Sequence, residues 1–165
     1  MIRPATPADV PELLKMISEL AAYNKAPDAA VATEDQLHEA LFGEHPAVFA
    51  HLATEPGEDG AEVAVGMAVF FRTFSTWTGG YGIWLEDLYV RSTSRGGGHG
   101  KQLIASLAKL CQDRGYPRLE WTVVEWNTPA IGFYRALGAV PMEDWTTQRL
   151  TGDALGTLAS QFDGS

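Results

Sequence analysis

Cysteine is nearly absent from the chain: Cys111 stands alone among 165 residues, so no internal disulfide can staple the fold. It falls on the apolar face of a helical pattern, where a thiol packs as a small hydrophobe. Long apolar runs are missing too. No stretch reaches the ~20 residues that a membrane-spanning helix needs, and Met1-Ile2-Arg3-Pro4-Ala5-Thr6-Pro7 lacks the basic-then-apolar build of a secretory signal. A cytoplasmic protein is the expectation. Basic residues are scarce, 12 Lys and Arg against 21 Asp and Glu, for a net charge of −9. Phosphate backbones reward basic patches, so nucleic acid is excluded as a partner, whereas a cationic substrate suits an acidic field. The same charge also serves to keep a surface soluble. The histidines at 38, 45, 51 and 99 show no metal-ligand spacing, and no metal is expected.

With 45% hydrophobic and 20% charged residues the chain has the composition of one globular domain with its own core. Ile2 to Ala5 reads as a short strand. Thr6 then caps a helix with Pro7 in its first turn, and apolar residues from Val10 to Ala21 recur at helical spacing as far as about Tyr23. A loop over 24–30 leads to Thr33-Glu34-Asp35-Gln36, a capping box opening a second helix through Leu41. Val48 to Thr54 and Val63 to Thr73 read as strands joined by a polar turn, the second alternating as a half-buried strand should. Tyr81 to Val90 returns as the next strand. Consecutive strands with tight turns make a meander, not a βαβαβ dinucleotide fold.

The stretch from Trp84 to Lys101 organises the rest. A short aromatic-rich run carrying Glu86 and Asp87 leads into Arg95-Gly96-Gly97-Gly98-His99-Gly100-Lys101, followed by a helix with Leu103, Ile104, Leu107, Ala108 and Cys111 on its apolar face. A helix N-terminus offers unpaired N–H groups and the positive end of the dipole, and glycines let a large anion approach them. Three phosphate patterns compete. A Walker A loop would need Gly where Arg95 stands and Ser or Thr where Gln102 stands; the dinucleotide pattern would need Gly in place of Lys101. What remains is Arg95-x-x-Gly98-x-Gly100 opening a helix, or a glycine turn without a ligand. Downstream, Leu119 to Val124 reads as a strand parallel to its predecessor, and Asn127 or Thr128 caps a short helix ended by Gly138. A last strand pair is expected from about Val140 to Leu150, and a loosely ordered tail after Gly152.

The glycine loop, the Leu85-Glu86-Asp87 strand before it, and Glu125-Trp126-Asn127 before Phe133-Tyr134 resemble the GNAT superfamily of acetyl-CoA-dependent N-acetyltransferases over nearly the whole chain. Ile2-Arg3-Pro4-Ala5-Thr6 and Phe42-Gly43-Glu44-His45-Pro46 bring it closer to the spermidine/spermine (diamine) and thialysine acetyltransferases. The resemblance implies an α/β fold: a mixed, mostly antiparallel central sheet, splayed at the acetyl-CoA site and flanked by about four helices. It also implies a homodimer and direct attack of an amine on acetyl-CoA in a ternary complex. Glu86 matches the family's base, acting through water, and Tyr134 its acid. A carboxylate at 86 that only binds the substrate cation has the same charge requirement. Leu88, Tyr89 and Val90 would meet the pantetheine arm; Arg95, Gly96, Gly97, Gly98, His99, Gly100 and Lys101 would surround the pyrophosphate; Asn127 would lie near the pantetheine. Asp28, Asp87, Glu120, Glu125 and Trp145 join Glu86 as candidates for the amine pocket. Polyamine-acetylating relatives carry several acids in the loop after the first helix. Here Asp28 is the only one, opposed by Lys25, so a small primary amine, polyamine or lysine-like, is the expected substrate class. A protein acetyltransferase and a non-catalytic acyl-CoA-binding module are the alternatives.

Overall fold

The computed structural model describes residues 1–162, which divide into two compact units, one spanning Met1–Val124 and the other beginning at Glu125. In the first, strand β1 (Ile2–Pro4) ends at a proline that cannot donate to a ladder. A one-turn 3-10 helix (Pro7–Asp9) with a Thr6/Asp9 capping box then feeds helix α1 (Val10–Tyr23). Arg3 fastens this junction. Its guanidinium donates to both Asp9 carboxylate oxygens, at 2.8 and 2.9 Å, and to Glu62 at 2.6 Å. The bond to Arg3 is the main reason the Asp9 carboxyl lies well below the usual range. Helix α2 (Glu34–Phe42) opens with the expected capping box: Gln36 N donates to Thr33 Oγ1 at 3.3 Å, and Thr33 N to Gln36 Oε1 at 3.0 Å.

Strands β2 (Phe49–Pro56), β3 (Glu62–Ser75) and β4 (Gly80–Val90) follow β1 in spatial order as an antiparallel meander. The last member, β5 (Leu119–Glu120), follows helix α3 (His99–Arg114) and runs parallel to β4. One face of the sheet, carrying Ala50, Leu52, Met67 and Val69, packs against Val10, Leu13 and Met16 of α1 and Leu37 and Leu41 of α2. The alternate face meets α3: His51 Nδ1 lies 2.8 Å from Ser106 Oγ, and Leu103, Ile104, Leu107 and Cys111 are buried. Helices on both faces correct the expectation that β3 is half-buried. Val65 through Phe70 are all buried, small residues alternating with large ones. Gly66 is required there, because a Cβ would sit 2.8 Å from the Tyr89 carbonyl oxygen.

β5 is shorter than expected. Its ladder with β4 comprises Ile83 with Leu119 and Trp84 with Glu120, and residues 121–124 belong to no strand. β4 therefore continues from Leu85 to Val90 beyond the ladder with β5, which is the splay the family resemblance implied.

In the second unit, helix α4 (Thr128–Ala136) is capped by Asn127, whose Oδ1 accepts from Ala130 N at 3.3 Å. Gly138, at φ +89, follows its end. The expected strand pair over 140–150 is not formed among the described residues. Val140, Met142, Trp145 and Leu150 are exposed there, and a lone hairpin without a face to bury is marginal in water. The expected loose tail instead begins with helix α5 (Gly152–Ala159), built from the helix formers Ala154, Leu155, Leu158 and Ala159; positions 163–165 of that tail lie outside the described residues. Among the described residues five α-helices thus stand where about four were expected.

Because α3 carries the glycine loop at its N-terminus, its packing positions the site. Leu107 is fully buried. Leu107→Ala should lower the unfolding free energy by about 2–5 kcal/mol, read as a lower urea midpoint at unchanged slope. A loss below about 1 kcal/mol would mean that α3 packs loosely on the sheet.

Candidate active site

Register decides what β4 presents. Val69 pairs with Asp87 and Phe70 with Leu85, so Glu86 is an extra residue, a β-bulge with no partner across the ladder. The bulge leaves Glu86 exposed, and Trp84 Nε1 donates to Glu86 Oε2 at 2.9 Å, fixing the carboxylate. Glu120, opposite Trp84 in the parallel ladder, shares its face of the sheet. Arg118 Nε lies 2.9 Å from Glu120 Oε2, and its stem crosses Gly82, where a Cβ would meet Arg118 Cγ at 3.0 Å. Glu86 thus bonds the Trp84 indole, Glu120 stands opposite Trp84 in the ladder, and Asp87 follows the bulge beside Glu86.

Beyond the bulge, Arg91 ties the end of β4 to α1. Its Nη2 reaches Glu12 at 2.5 Å and Glu19 at 3.1 Å, and its Nη1 donates to the Ala64 carbonyl at 3.0 Å. A one-turn 3-10 helix (Ser92–Ser94) precedes the glycines. Arg95 folds back: Nε donates to the Val90 carbonyl at 3.0 Å, and the guanidinium lies 4.8 Å from the Tyr23 ring centroid and 5.8 Å from that of Tyr89. Burial is the leading cause that raises the Tyr89 phenol. Gly96 and Gly98 adopt φ of +85 and +81, which L side chains rarely tolerate. Gly98 is the N-cap of α3, and no side chain caps that end. The first-turn N–H groups therefore meet a loop surface without Cβ atoms, which fits a diphosphate. Gly100 is the second residue of α3, and Lys101 is exposed.

Glu55, at the end of β2, bonds both ends of this loop: Ser94 Oγ donates to Oε2 at 3.0 Å, and His99 Nε2 lies 2.6 Å from Oε1. Sequence reading missed Glu55, Glu12, Glu19 and Arg91. Local pattern carries no sign of Glu55, whose partners are 39 and 44 residues away.

The remaining candidates are dispersed. Asp28 is exposed in a one-turn 3-10 helix (Pro27–Ala29). Glu125, Asn127, Tyr134 and Trp145 belong to the second unit. There Tyr134 is half-buried on α4, 5.3 Å between ring centroids from Phe133, and burial raises its phenol above the ordinary value. Asn127 is buried, while Glu125 and Trp145 are exposed. A surface cavity of about 290 Å³ lined by Pro4, Phe42, Phe49, His51, Phe70 and Arg114, among others, contains none of the candidates. Among the described residues no group of three or more His, Cys, Asp or Glu is arranged to hold a metal, and no helix is long and apolar enough to cross a membrane.

Asp87 is pushed up to about 6, first by burial and then by the charge of Glu86. A carboxyl whose folded-state value is raised binds its proton more tightly folded than unfolded. Its stabilising contribution is complete below the unfolded value and is lost as the pH rises through about 6. The unfolding free energy should therefore fall by no more than ~3 kcal/mol between about pH 4 and about pH 6, read as a lower urea midpoint. Asp87→Asn should flatten that segment; superimposable profiles would assign the fall to other groups.

Comparison with known proteins agrees with this geometry. The family model of the GNAT acetyltransferases matches residues 13–139. The thialysine N-epsilon-acetyltransferase of Sus scrofa is 35% identical over 98% of both chains, and the L-ornithine N5-acetyltransferase of Arabidopsis thaliana is 31% identical over 93% of this chain and 85% of its own. Among solved structures, an integron cassette protein from the mobile metagenome of V. cholerae superposes with a TM-score of 0.78 at 29% identity, covering 98% of each chain. The chain belongs to the GNAT family of acetyltransferases, in the branch that holds the thialysine N-epsilon-acetyltransferases.

Proposed function

We propose that the protein transfers the acetyl group of acetyl-CoA to the primary amine of a small cationic substrate, a polyamine or a lysine-like amino acid, by direct attack in a ternary complex. The observation that carries this reading is the exposed Glu86 carboxylate, held by Trp84 at the bulge and flanked by Asp87 and Glu120, on the strand that runs into the glycine loop. The Glu86 carboxylate, with Asp87 next to it in sequence, favours an ammonium group through charge, while Glu120 is already paired with Arg118. The single exposed acid in the loop after α1, Asp28, offers little grip on a second, distant cation. The relatives named for thialysine and ornithine support the lysine-like amino acid as the better of the two.

Acetyl-CoA supplies the thioester carbonyl and the sulfur leaving group. For its pantetheine arm the β4 edge at Leu88, Tyr89 and Val90 lies beyond the ladder with β5, and the loop Gly96-Gly97-Gly98-His99-Gly100-Lys101 is suited to the diphosphate. Arg95, engaged with the Val90 carbonyl, shapes the loop more than it reaches for an anion. Asn127 serves by capping the helix that bears Tyr134. An ammonium of pKa ~10 must lose a proton before attack. Glu86 takes it through water, and its exposure leaves a path to solvent. Tyr134, raised by burial, keeps its proton at neutral pH and donates it to the departing sulfur. A homodimer is part of the proposal, supported by the exposed Val140, Met142, Leu155 and Leu158 of the second unit.

Thiol release from acetyl-CoA with thialysine, ornithine, lysine, putrescine, spermidine, spermine and a lysine peptide tests this reading. Turnover on one or more of the small amines is expected; activity confined to the peptide, or acetyl-CoA binding with no turnover on any amine, would overturn it. Tyr134→Phe should lower turnover ~10- to 10⁴-fold with unchanged melting temperature. Near-normal turnover would remove Tyr134 from the reaction. Gly98→Val, a branched residue forced to positive φ, should abolish acetyl-CoA binding in calorimetry, and unchanged affinity would refute the loop assignment.

A further inference from the structure

We infer that Glu55 is a positioning residue for acetyl-CoA: its carboxylate joins the two ends of the glycine loop and holds the loop in its anion-binding shape before the ligand arrives. The inference rests on the proposal that this loop takes the diphosphate. Glu55 is not among the candidate amine-binding residues; it comes from β2, the strand before the β3–β4 hairpin. One oxygen accepts from Ser94, the last residue of the 3-10 turn, at 3.0 Å; the other meets His99, the first residue of α3, at 2.6 Å. An ionised carboxylate only accepts, so the His99 ring carries a proton on Nε2. The bond to His99, then that to Ser94, keeps the Glu55 carboxyl below its usual range, so it is ionised at neutral pH.

Between those two anchors lie Arg95 and three successive glycines, two of them at positive φ. Glycine has the most backbone freedom to lose, and an anion that binds converging N–H groups must order whatever is not already ordered. Arg91 and Arg95 fix only the start of the loop, through Glu12, Glu19 and the Val90 carbonyl. Glu55 connects the start to the end. It also seats the His99 imidazole on the loop apex: a Cβ at Gly97 would lie 3.2 Å from His99 Nε2. Gly97 therefore makes room for the ring that Glu55 holds.

The experiment compares the full-length protein with Glu55→Ala and Glu55→Gln. It measures acetyl-CoA dissociation by calorimetry, KM for acetyl-CoA and for the amine, kcat at saturation, and melting temperature. Glu55→Ala should raise both the dissociation constant and the KM of acetyl-CoA by about tenfold, equivalent to ~1.4 kcal/mol. The kcat and the amine KM should stay within about twofold. Glu55→Gln, which keeps one acceptor, should fall between. Ser94→Ala and His99→Ala should each show part of the effect and add little in the Glu55→Ala background. Unchanged acetyl-CoA affinity in Glu55→Ala, tighter binding, or a drop in melting temperature alone would overturn the positioning role while leaving the loop reading intact. Failure of the unsubstituted protein to bind acetyl-CoA would overturn the loop reading, and this inference with it.

Discussion

The early end of the β4–β5 ladder is the constraint on which the site depends. Backbone N–H and C=O groups demand partners, and a strand inside a complete sheet has none to spare. Here β4 pairs with β5 at Ile83 and Trp84 and then runs on as far as Val90. The other edge of β4 stays bonded to β3, which keeps the strand rigid while one edge faces the opening. The bulge at Glu86 works with the same constraint. Without the extra residue, two-residue alternation would put position 86 on the face of Trp84 and aim position 87 toward α3. With it, Asp87 shares the face of Val69, while Glu86 stands out of the ladder within reach of the Trp84 indole.

Charge is arranged around this opening in two ways. Three arginines are engaged by carboxylates: Arg3 with Asp9 and Glu62, Arg91 with Glu12 and Glu19, Arg118 with Glu120. Such exposed or half-exposed pairs contribute about 0–1 kcal/mol each, so they serve geometry more than stability. Asp87 differs, because burial beside Glu86 makes its ionisation unfavourable. A cation entering there would neutralise the repulsion and favour the ionised form, so the proposed amine binding would be linked to proton release from Asp87.

What could be read from the sequence was local. The N-cap at Thr6, the capping box at Thr33, the apolar period of α1 and α3, and the glycine loop that opens α3 all depend on residues within a turn or two of each other. The double burial of β3 was not legible, since alternating small and large residues look half-buried until helices are known to cover both faces. Nor was the bulge, because register belongs to pairs of strands. Glu86 was found through the family resemblance and not through its bulge. Glu55 had no route at all: its role exists only once β2 and the start of α3 are side by side. The segment 140–150 has strand-like residues, Val140 and Leu150 among them, but within its own unit it has no sheet to join.

Proton accounting ties the two candidate catalytic groups together in the proposed reaction. An ammonium that becomes an amide loses two protons, and the departing sulfur recovers one, so one proton must leave for solvent in each cycle. The exposed group suits that exit: Glu86 is open to water and is held by a donor, Trp84, that carries no charge of its own. A half-buried phenol raised by its surroundings is a poor exit and a good internal donor, which suits Tyr134 to the proton that stays. Exchanging the roles would ask the phenol to ionise where burial opposes it. Within the proposed reaction, exposure favours Glu86 as the base and half-burial favours Tyr134 as the acid.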